Sequence, residues 1–337
     1  MNRSINFFIS IFFIFLISFF LIRLAPGDPV LLMLGDRGND PTQYRMMMES
    51  LGLNHPLYEQ FKIYILNIFT GNFGHSIVSG KSILVELLPR WKASFELGLI
   101  VFIFSFFIGS ILGIYLAYKF NSKVERILSG SMLVVYCIPI FWLGLLLINI
   151  FSLQFNLFPV SGRIDYEFDL IPYTGFYLID SLTGDNYKNY SFTAFFSCLN
   201  HMVLPIITMS IVPIVSIAKI TKVSILEVLR KDYILTAKSL GMSESSIFFK
   251  HVLRNILVPV LTISSLYLIN VTVAGAIITE TIFSWPGIGR FLVTSVLSRD
   301  YPVIQIVILF IGVFILFVNL ILEMLVKIID PKQRMKV

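Results

Sequence analysis

Few residues in this chain have the types and spacing that chemistry requires. GHSIVSGKS (Gly74–Ser82) comes near the pattern G-x-x-x-x-G-K-[ST], whose backbone amides and lysine cradle nucleotide phosphates. Its first glycine stands one residue too early, His75 fills the place that needs it, and no buried-strand pattern precedes it. WPGIGR (Trp285–Arg290) lacks the dinucleotide spacing; its proline and glycines predict a rigid turn. His251, three residues before Arg254, reads as a structural hydrogen-bonding histidine rather than a catalyst. Cys137 and Cys198 have neither the number nor the spacing of a metal site or disulfide framework and read as small hydrophobes. No nucleophile–base pair or His–carboxylate cluster is visible. The expectation is a chain with no catalytic residue, no metal and no bound cofactor.

The elements that hold these residues are built for lipid. Of 337 residues, 56% are hydrophobic and only 14% charged, against ~25% charged in an average soluble domain. The mean hydropathy is +0.84. Thirty-two phenylalanines in long apolar runs exceed what one soluble core would hide, so the chain reads as a polytopic membrane protein. INFFISIFFIFLISFFLI (Ile5–Ile22) is too long for a signal-peptide core, and the RLAPGDPV after it offers no cleavage pattern; it reads as a retained span.

Six stretches approach the ~20 residues that a bilayer requires: Ile5–Leu24, Phe95–Tyr118, Ile127–Phe151, Met202–Ala218, Ile256–Ile278 and Val303–Ile328. Lipid offers backbone amides no partners, so the spans must be helical and the fold class all-α. The N-terminus, the Lys119–Arg126 loop, the Lys219–Asn255 segment and the C-terminal tail share one side. They carry 15 of the 26 basic residues and 6 of the 20 acidic ones. Basic excess marks the cytoplasmic side, which places both termini there. The net charge of +6 then reflects topology and requires no nucleic-acid partner. Arg23–Ser94 and Ser152–His201 become the long exterior segments, and DPTQYRMMMESLGL (Asp40–Leu53) predicts a short helix in the first, ended by the following LNHP turn. We divide the chain into residues 1–94, the first span with its exterior loop, and residues 95–337, a core that carries the segment 219–255.

That segment is a polar, basic island between apolar runs. Tyr233, Ala237 and Leu240 recur at i, i+4, i+7 and predict one apolar stripe, with Lys231 and Lys238 off it. Gly241 suits the left-handed residue that ends a helix, and Ser243 the N-cap of a second helix running towards Pro259. Such a helix pair fits either a groove in a partner protein or an anionic lipid surface. Within the second span, Gly109 and Gly113 of GSILG form a G-x-x-x-G and predict close helix packing.

EVLRKDYILTAKSLGMSESSIFFKHVLRNILVPVLT resembles the cytoplasmic loop signature of bacterial ABC-importer permeases of the dipeptide/oligopeptide/nickel branch. The matching positions are Tyr233, Thr236, Ala237, Lys238, Gly241, His251, Leu253, Arg254, Asn255 and Pro259; the glutamate of the wider superfamily's E-A-A is missing here. RLAPGDPV, PIFWLGLLLI, LFPVSGR, TETIFSWPGIGR and RDYPVIQ follow in the family's order along nearly the whole chain, and TGFYLID leans towards the dipeptide-type B permease.

The resemblance implies a six-span type I ABC-importer permease fold in the bacterial cytoplasmic membrane. It also implies a homologous second permease, two ATPase subunits that bind the ATP–Mg, and an exterior substrate-binding protein. Its coupling residues would be Glu227, Asp232, Tyr233, Thr236, Ala237, Lys238, Leu240, Gly241, His251, Arg254 and Asn255. Thr208 and Ser210, near Pro205 and Pro213, with Asn270 and Thr272, are candidates to line the path. The cargo would be a dipeptide or other short peptide, with nickel–chelate, haem or glutathione as alternatives. An ion-coupled secondary transporter is the rival from another class, but it requires charges within its spans, and these span interiors are almost free of them.

Overall fold

The computed structural model describes residues 3–23, 29–34, 40–50, 52–168, 170, 172–183, 192–270 and 276–329. The described residues are helical throughout, apart from turns, loops and one isolated bridge, His75–Ser82. They fall into two compact units, Met1–Trp91 with Arg290–Asn319 and Lys92–Gly289 with Leu320–Val337.

The first unit begins with α1 (Arg3–Arg23), α2 (Pro29–Leu34), α3 (Pro41–Ser50) and α4 (Leu57–Phe69). Helix α3 is the short helix expected after Asp40, whose carboxylate accepts the Thr42 N–H at 2.9 Å. It closes earlier than the LNHP turn, at Gly52 with φ +64°, while Pro56 instead opens α4, a helix that the sequence reading missed. Phe19 packs its ring on Phe61 and Tyr64, with centroids 5.1 and 5.7 Å apart.

Helix α5 (Ile83–Tyr118) runs 36 residues, starting well before the expected Phe95. Helices α6 (Lys123–Tyr136) and α7 (Ile140–Leu147), the latter continued by a π-helical turn at Ile148–Gln154, cover the expected third span. They are bent from one another by 96°. The cause is Pro139: it lacks the N–H that would continue α6 and pushes Ile138 away from helical backbone angles. After α8 (Tyr177–Thr183), α9 (Phe192–Leu229) extends for 38 residues through Pro205 and Pro213.

The polar island forms α10 (Asp232–Ser239) and α11 (Glu244–Ile247). A π-turn at Phe248–Val252 then leads into α12 (Leu253–Asn270). The second island helix therefore runs on into the next apolar helix, and Pro259 lies inside α12, as it does inside the expected span Ile256–Ile278. Helices α13 (Ala276–Ile282), α14 (Ile288–Leu297) and α15 (Tyr301–Ile329) complete the chain.

Among the described residues, four helical stretches are long and apolar enough to cross a membrane: Ile83–Tyr118, Phe192–Leu229, Glu244–Tyr267 and Tyr301–Ile321. The bent pair makes a fifth if it counts as one span, and the apolar run Phe7–Leu21 in α1 is shorter. The expected six are reached only by counting both.

Gly109 and Gly113 place α5 against α9. A Cβ on Gly109 would stand 2.8 Å from Ile217 Cβ, and one on Gly113 2.5 Å from Thr221 Cβ and 2.6 Å from the Ala218 carbonyl oxygen. Small residues at helix contacts allow backbones to close in where lipid supplies no hydrophobic drive. Gly130, in α6, has open space around it. Gly113→Ala is expected to lose about 1–3 kcal/mol by overpacking. Gly130→Ala, without that clash, should match or slightly exceed the parent chain. Thermal unfolding of the purified chain in detergent checks both.

Candidate functional site

The island is a helix–turn–helix whose turn obeys local backbone chemistry. Gly241 has φ +79°. Its N–H donates to the Lys238 carbonyl at 3.0 Å, and the Met242 N–H reaches back to the Ala237 carbonyl at 3.2 Å. This pair of bonds satisfies the last carbonyls of α10 and requires a residue that tolerates the left-handed region. Ser243 then caps α11, its hydroxyl accepting the Ser246 N–H at 3.4 Å.

The apolar stripe has a different phase from the one expected. Ile234 and Ala237 face inward, Ile234 with no exposed area, and pack with Ala117, Ile225, Val228, Ile247, Val252 and Ile256. Tyr233 and Leu240, assigned to the same stripe as Ala237, are 42% and 78% exposed, and Leu235 is 56% exposed. Burying Ile234 is worth roughly 1.5–3 kcal/mol and seats α10 on the ends of α5 and α9. Ala237 therefore belongs to the seat of the helix and not to its free face.

Away from that seat, α10 and its end expose Tyr233 and Leu240 on one flank and Leu235 on the other, with Asp232, Thr236 and Ser239 between them, and Phe249 is exposed on the next helical segment. Glu227, Lys238 and Arg254 are exposed as well. Thr236 turns its hydroxyl back onto the Asp232 carbonyl at 3.1 Å. His251 is half-buried with its ring 6.2 Å from that of Tyr233, and its carbonyl accepts the Asn255 side-chain N–H at 2.6 Å. His251 thus meets α10 through Tyr233, whereas the Asn255 bond stays within its own helical stretch. Nine of the eleven candidate residues are exposed: Glu227, Asp232, Tyr233, Thr236, Lys238, Leu240, Gly241, Arg254 and Asn255.

The candidate path residues do not come together on a surface. Thr208 and Ser210 are fully buried; the Thr208 hydroxyl donates to the Leu204 carbonyl at 2.8 Å, and the Ser210 hydroxyl has no partner among the described residues. Thr272 and the side chain of Asn270 lie outside the described residues.

Sequence reasoning missed a buried polar cluster in the same unit. Arg163 donates to Glu96 at 2.5 Å, both side chains are 5% exposed, and the guanidinium lies 3.7 Å over the Tyr177 ring. The other Glu96 oxygen accepts the Leu178 N–H at 2.9 Å. Glu280, also fully buried, accepts from the Ser94 hydroxyl, which in turn accepts the Ile288 N–H at 2.8 Å. Trp285 donates its indole N–H to the Ala93 carbonyl at 3.1 Å. Gly287 is required because any Cβ there would overlap the Glu280 carboxylate. WPGIGR is thus a rigid turn, as expected, fastened to the α5 residues Ala93 and Ser94.

The phosphate-loop look-alike is likewise structural. The Asp300 carboxylate accepts from the Ser76 hydroxyl at 2.5 Å and from the Ile77 N–H at 3.3 Å, so the loop's donors already hold an anion of the chain itself. Among the described residues no group of three or more His, Cys, Asp and Glu side chains is arranged to hold a metal ion.

Comparisons with known proteins agree with this geometry. The family described as "Binding-protein-dependent transport system inner membrane component" matches residues 109–335, and its N-terminal membrane component model matches residues 1–82. The di/tripeptide transport system permease protein DppB of Pseudomonas aeruginosa is 40% identical over 333 residues, covering 98% of this chain and 97% of that protein. The dipeptide transport system permease protein DppB of Escherichia coli K12 is 38% identical over 324 residues, covering 95% and 94%. A solved chain of the MetNI methionine ABC transporter, in inward-facing form, aligns at a TM-score of 0.55 with 13% identity. It covers 73% of this chain and 97% of its own, which supports a shared fold.

Two expectations follow. Gly241→Ala should destabilise the α10–α11 turn by about 1–2 kcal/mol through left-handed strain, while Leu240→Ala stays within about 0.5 kcal/mol; hydrogen exchange across residues 232–246 reads both. Arg163→Met alone should cost about 3–5 kcal/mol by stranding Glu96, and adding Glu96→Leu should recover most of it. Thermal unfolding of the single and double variants decides that.

Proposed function

The chain belongs to the binding-protein-dependent transport system inner membrane components, and from that premise we propose that it is one of two permease subunits of an ATP-driven peptide importer. It pairs with a homologous second permease, two ATPase subunits and an exterior substrate-binding protein, and leaves ATP hydrolysis to the ATPase subunits. The cargo is a dipeptide or similarly short peptide, on the strength of relatives named for dipeptide and di/tripeptide transport. The basic excess around α10 supports a cytoplasmic position for that helix and for both termini.

The observation that carries the reading is the two-faced α10. Its inner face, Ile234 and Ala237, is fixed to the chain's own core, while Tyr233, Leu235 and Leu240 stand exposed beside the polar Asp232, Thr236 and Ser239. Large apolar side chains left exposed among polar ones suit a protein interface, with Tyr233 the natural anchor. A helix so seated docks in a cleft of an ATPase subunit and moves the helices beneath it when that cleft closes. Each permease then alternates between inward and outward access as the ATPase pair closes and opens.

The test uses the whole importer in cells. In a strain lacking this protein, uptake of labelled dipeptide should return with the parent chain. It should fall at least tenfold with Leu240→Asp, at unchanged amounts of permease in the membrane. Ala237→Trp is a poor probe, because it disrupts the core seat before it reaches the interface. Normal dipeptide uptake by Leu240→Asp would end the docking assignment, and uptake unchanged by loss of the whole chain would end the peptide assignment.

A further inference from the structure

The first unit holds a cavity of about 560 Å³ that the transport reading does not use. That volume lies within the range of small-molecule sites, roughly 300–1,000 Å³. Its walls come from α1, α4, the loop at Asn72–Ile77 and the start of α15, all within one unit. Arg23, the last residue of α1, reaches into it. The guanidinium lies 3.5 Å over the Phe19 ring, donates twice to the Gln60 amide oxygen at 2.9 and 2.6 Å, and once to the Phe19 carbonyl at 2.9 Å.

Gln60 is itself held, donating to the carbonyls of His55 and Leu53 at 2.7 and 3.2 Å. Among the described residues the cation is therefore pinned by neutral groups, and none that lines the cavity carries a carboxylate. Asp300, behind the loop, is engaged by Ser76 and Ile77. Three of the five guanidinium donors are used by described residues, which leaves donor capacity for an anion. Tyr64, Asn67 and Gln305 add hydrogen-bonding groups to the same cavity.

A fixed guanidinium that meets only neutral groups among the described residues selects an anion, and its planar fork suits phosphate. The surroundings say what the phosphate is attached to. Arg23 terminates an apolar helix that exposes Phe12, Phe13, Ile17 and Phe20. Its level is that of lipid headgroups, and the aromatic flank gives an acyl chain a surface to follow. We propose that this cavity is a phospholipid site that takes the phosphate of an anionic lipid headgroup on Arg23, with the acyl chains laid along α1.

The experiment uses the full chain purified in mild detergent, with phosphatidylglycerol as the probe and retained lipid read by native mass spectrometry. The parent chain should retain phosphatidylglycerol over phosphatidylcholine. Arg23→Gln should reduce that retention roughly five- to tenfold, in line with the loss of one cation at a membrane surface. Ile63→Trp, which fills the cavity and keeps the charge, should reduce it similarly, and Lys62→Gln, an exposed charge outside the cavity, should not. Added phosphatidylglycerol should also raise the unfolding temperature of the unaltered chain, an arm that needs no variant to fold. Retention by Arg23→Gln and Ile63→Trp equal to that of the parent chain, or equal stabilisation by the two lipids, would overturn the proposal. Displacement by millimolar inorganic phosphate alone would assign the cavity to a free anion, and displacement by a dipeptide would assign it to cargo; either result removes the lipid assignment.

Discussion

The close approach of α5 and α9 at Gly109 and Gly113 is the constraint on which the larger unit depends. One turn beyond Gly113 stands Ala117, and one and two turns beyond Thr221 stand Ile225 and Val228. These three are half of the surface that receives Ile234 and Ala237. Were the two helices farther apart, that surface would open and α10 would lose its seat. Because packed interiors resist compression, a displacement of α10 passes to α9 as a rigid shift rather than being absorbed locally. The glycine pair and α10 thus share one packed core, although more than 100 residues separate Gly113 from Asp232 in sequence.

The opposite end of α5 is fastened by polar bonds instead of close packing. Ser94 links Glu280 to the Ile288 N–H, Trp285 holds the Ala93 carbonyl, and Glu96 binds Arg163 and the Leu178 N–H. Two buried carboxylates would be costly without these donors, and each has them. Hydrogen bonds fix direction in a way that apolar contact does not. This end is therefore specified in orientation, while the glycine end is specified in distance.

What was legible in the sequence were features with local causes. Gly241 and Ser243 predicted the turn because a left-handed cap and an N-cap serine act within a few residues. Gly109 and Gly113 predicted a contact because only small side chains permit it. The stripe on α10 was read one position out of phase: Tyr233 and Ile234 are adjacent and both apolar, and only the partner surface of Ala117, Ile225 and Val228 chooses between them. Pro259 lies within the expected span Ile256–Ile278 and within α12, while Pro139, which does break the third span, was overlooked inside a long hydrophobic run. The pairing of Glu96 with Arg163 spans 67 positions, and no spacing rule reaches that far.

Thr208 and Ser210 carry a related lesson about polar residues in apolar helices. They were grouped as path candidates because lipid-spanning segments place hydroxyls where water or cargo passes. Thr208 instead satisfies its hydroxyl on the Leu204 carbonyl of its own helix, and its methyl would lie 3.5 Å from a Cβ on Gly144 of α7. A threonine that bonds four residues back behaves as an apolar residue of similar size to valine, so its presence marks helix packing as readily as a polar channel. The same back-bonding recurs at Thr262, Ser264 and Thr281. The hydroxyls of Thr208, Thr262, Ser264 and Thr281 are therefore accounted for within their own helices and require no path. A path running between two permeases would be lined by surface that a single chain leaves exposed.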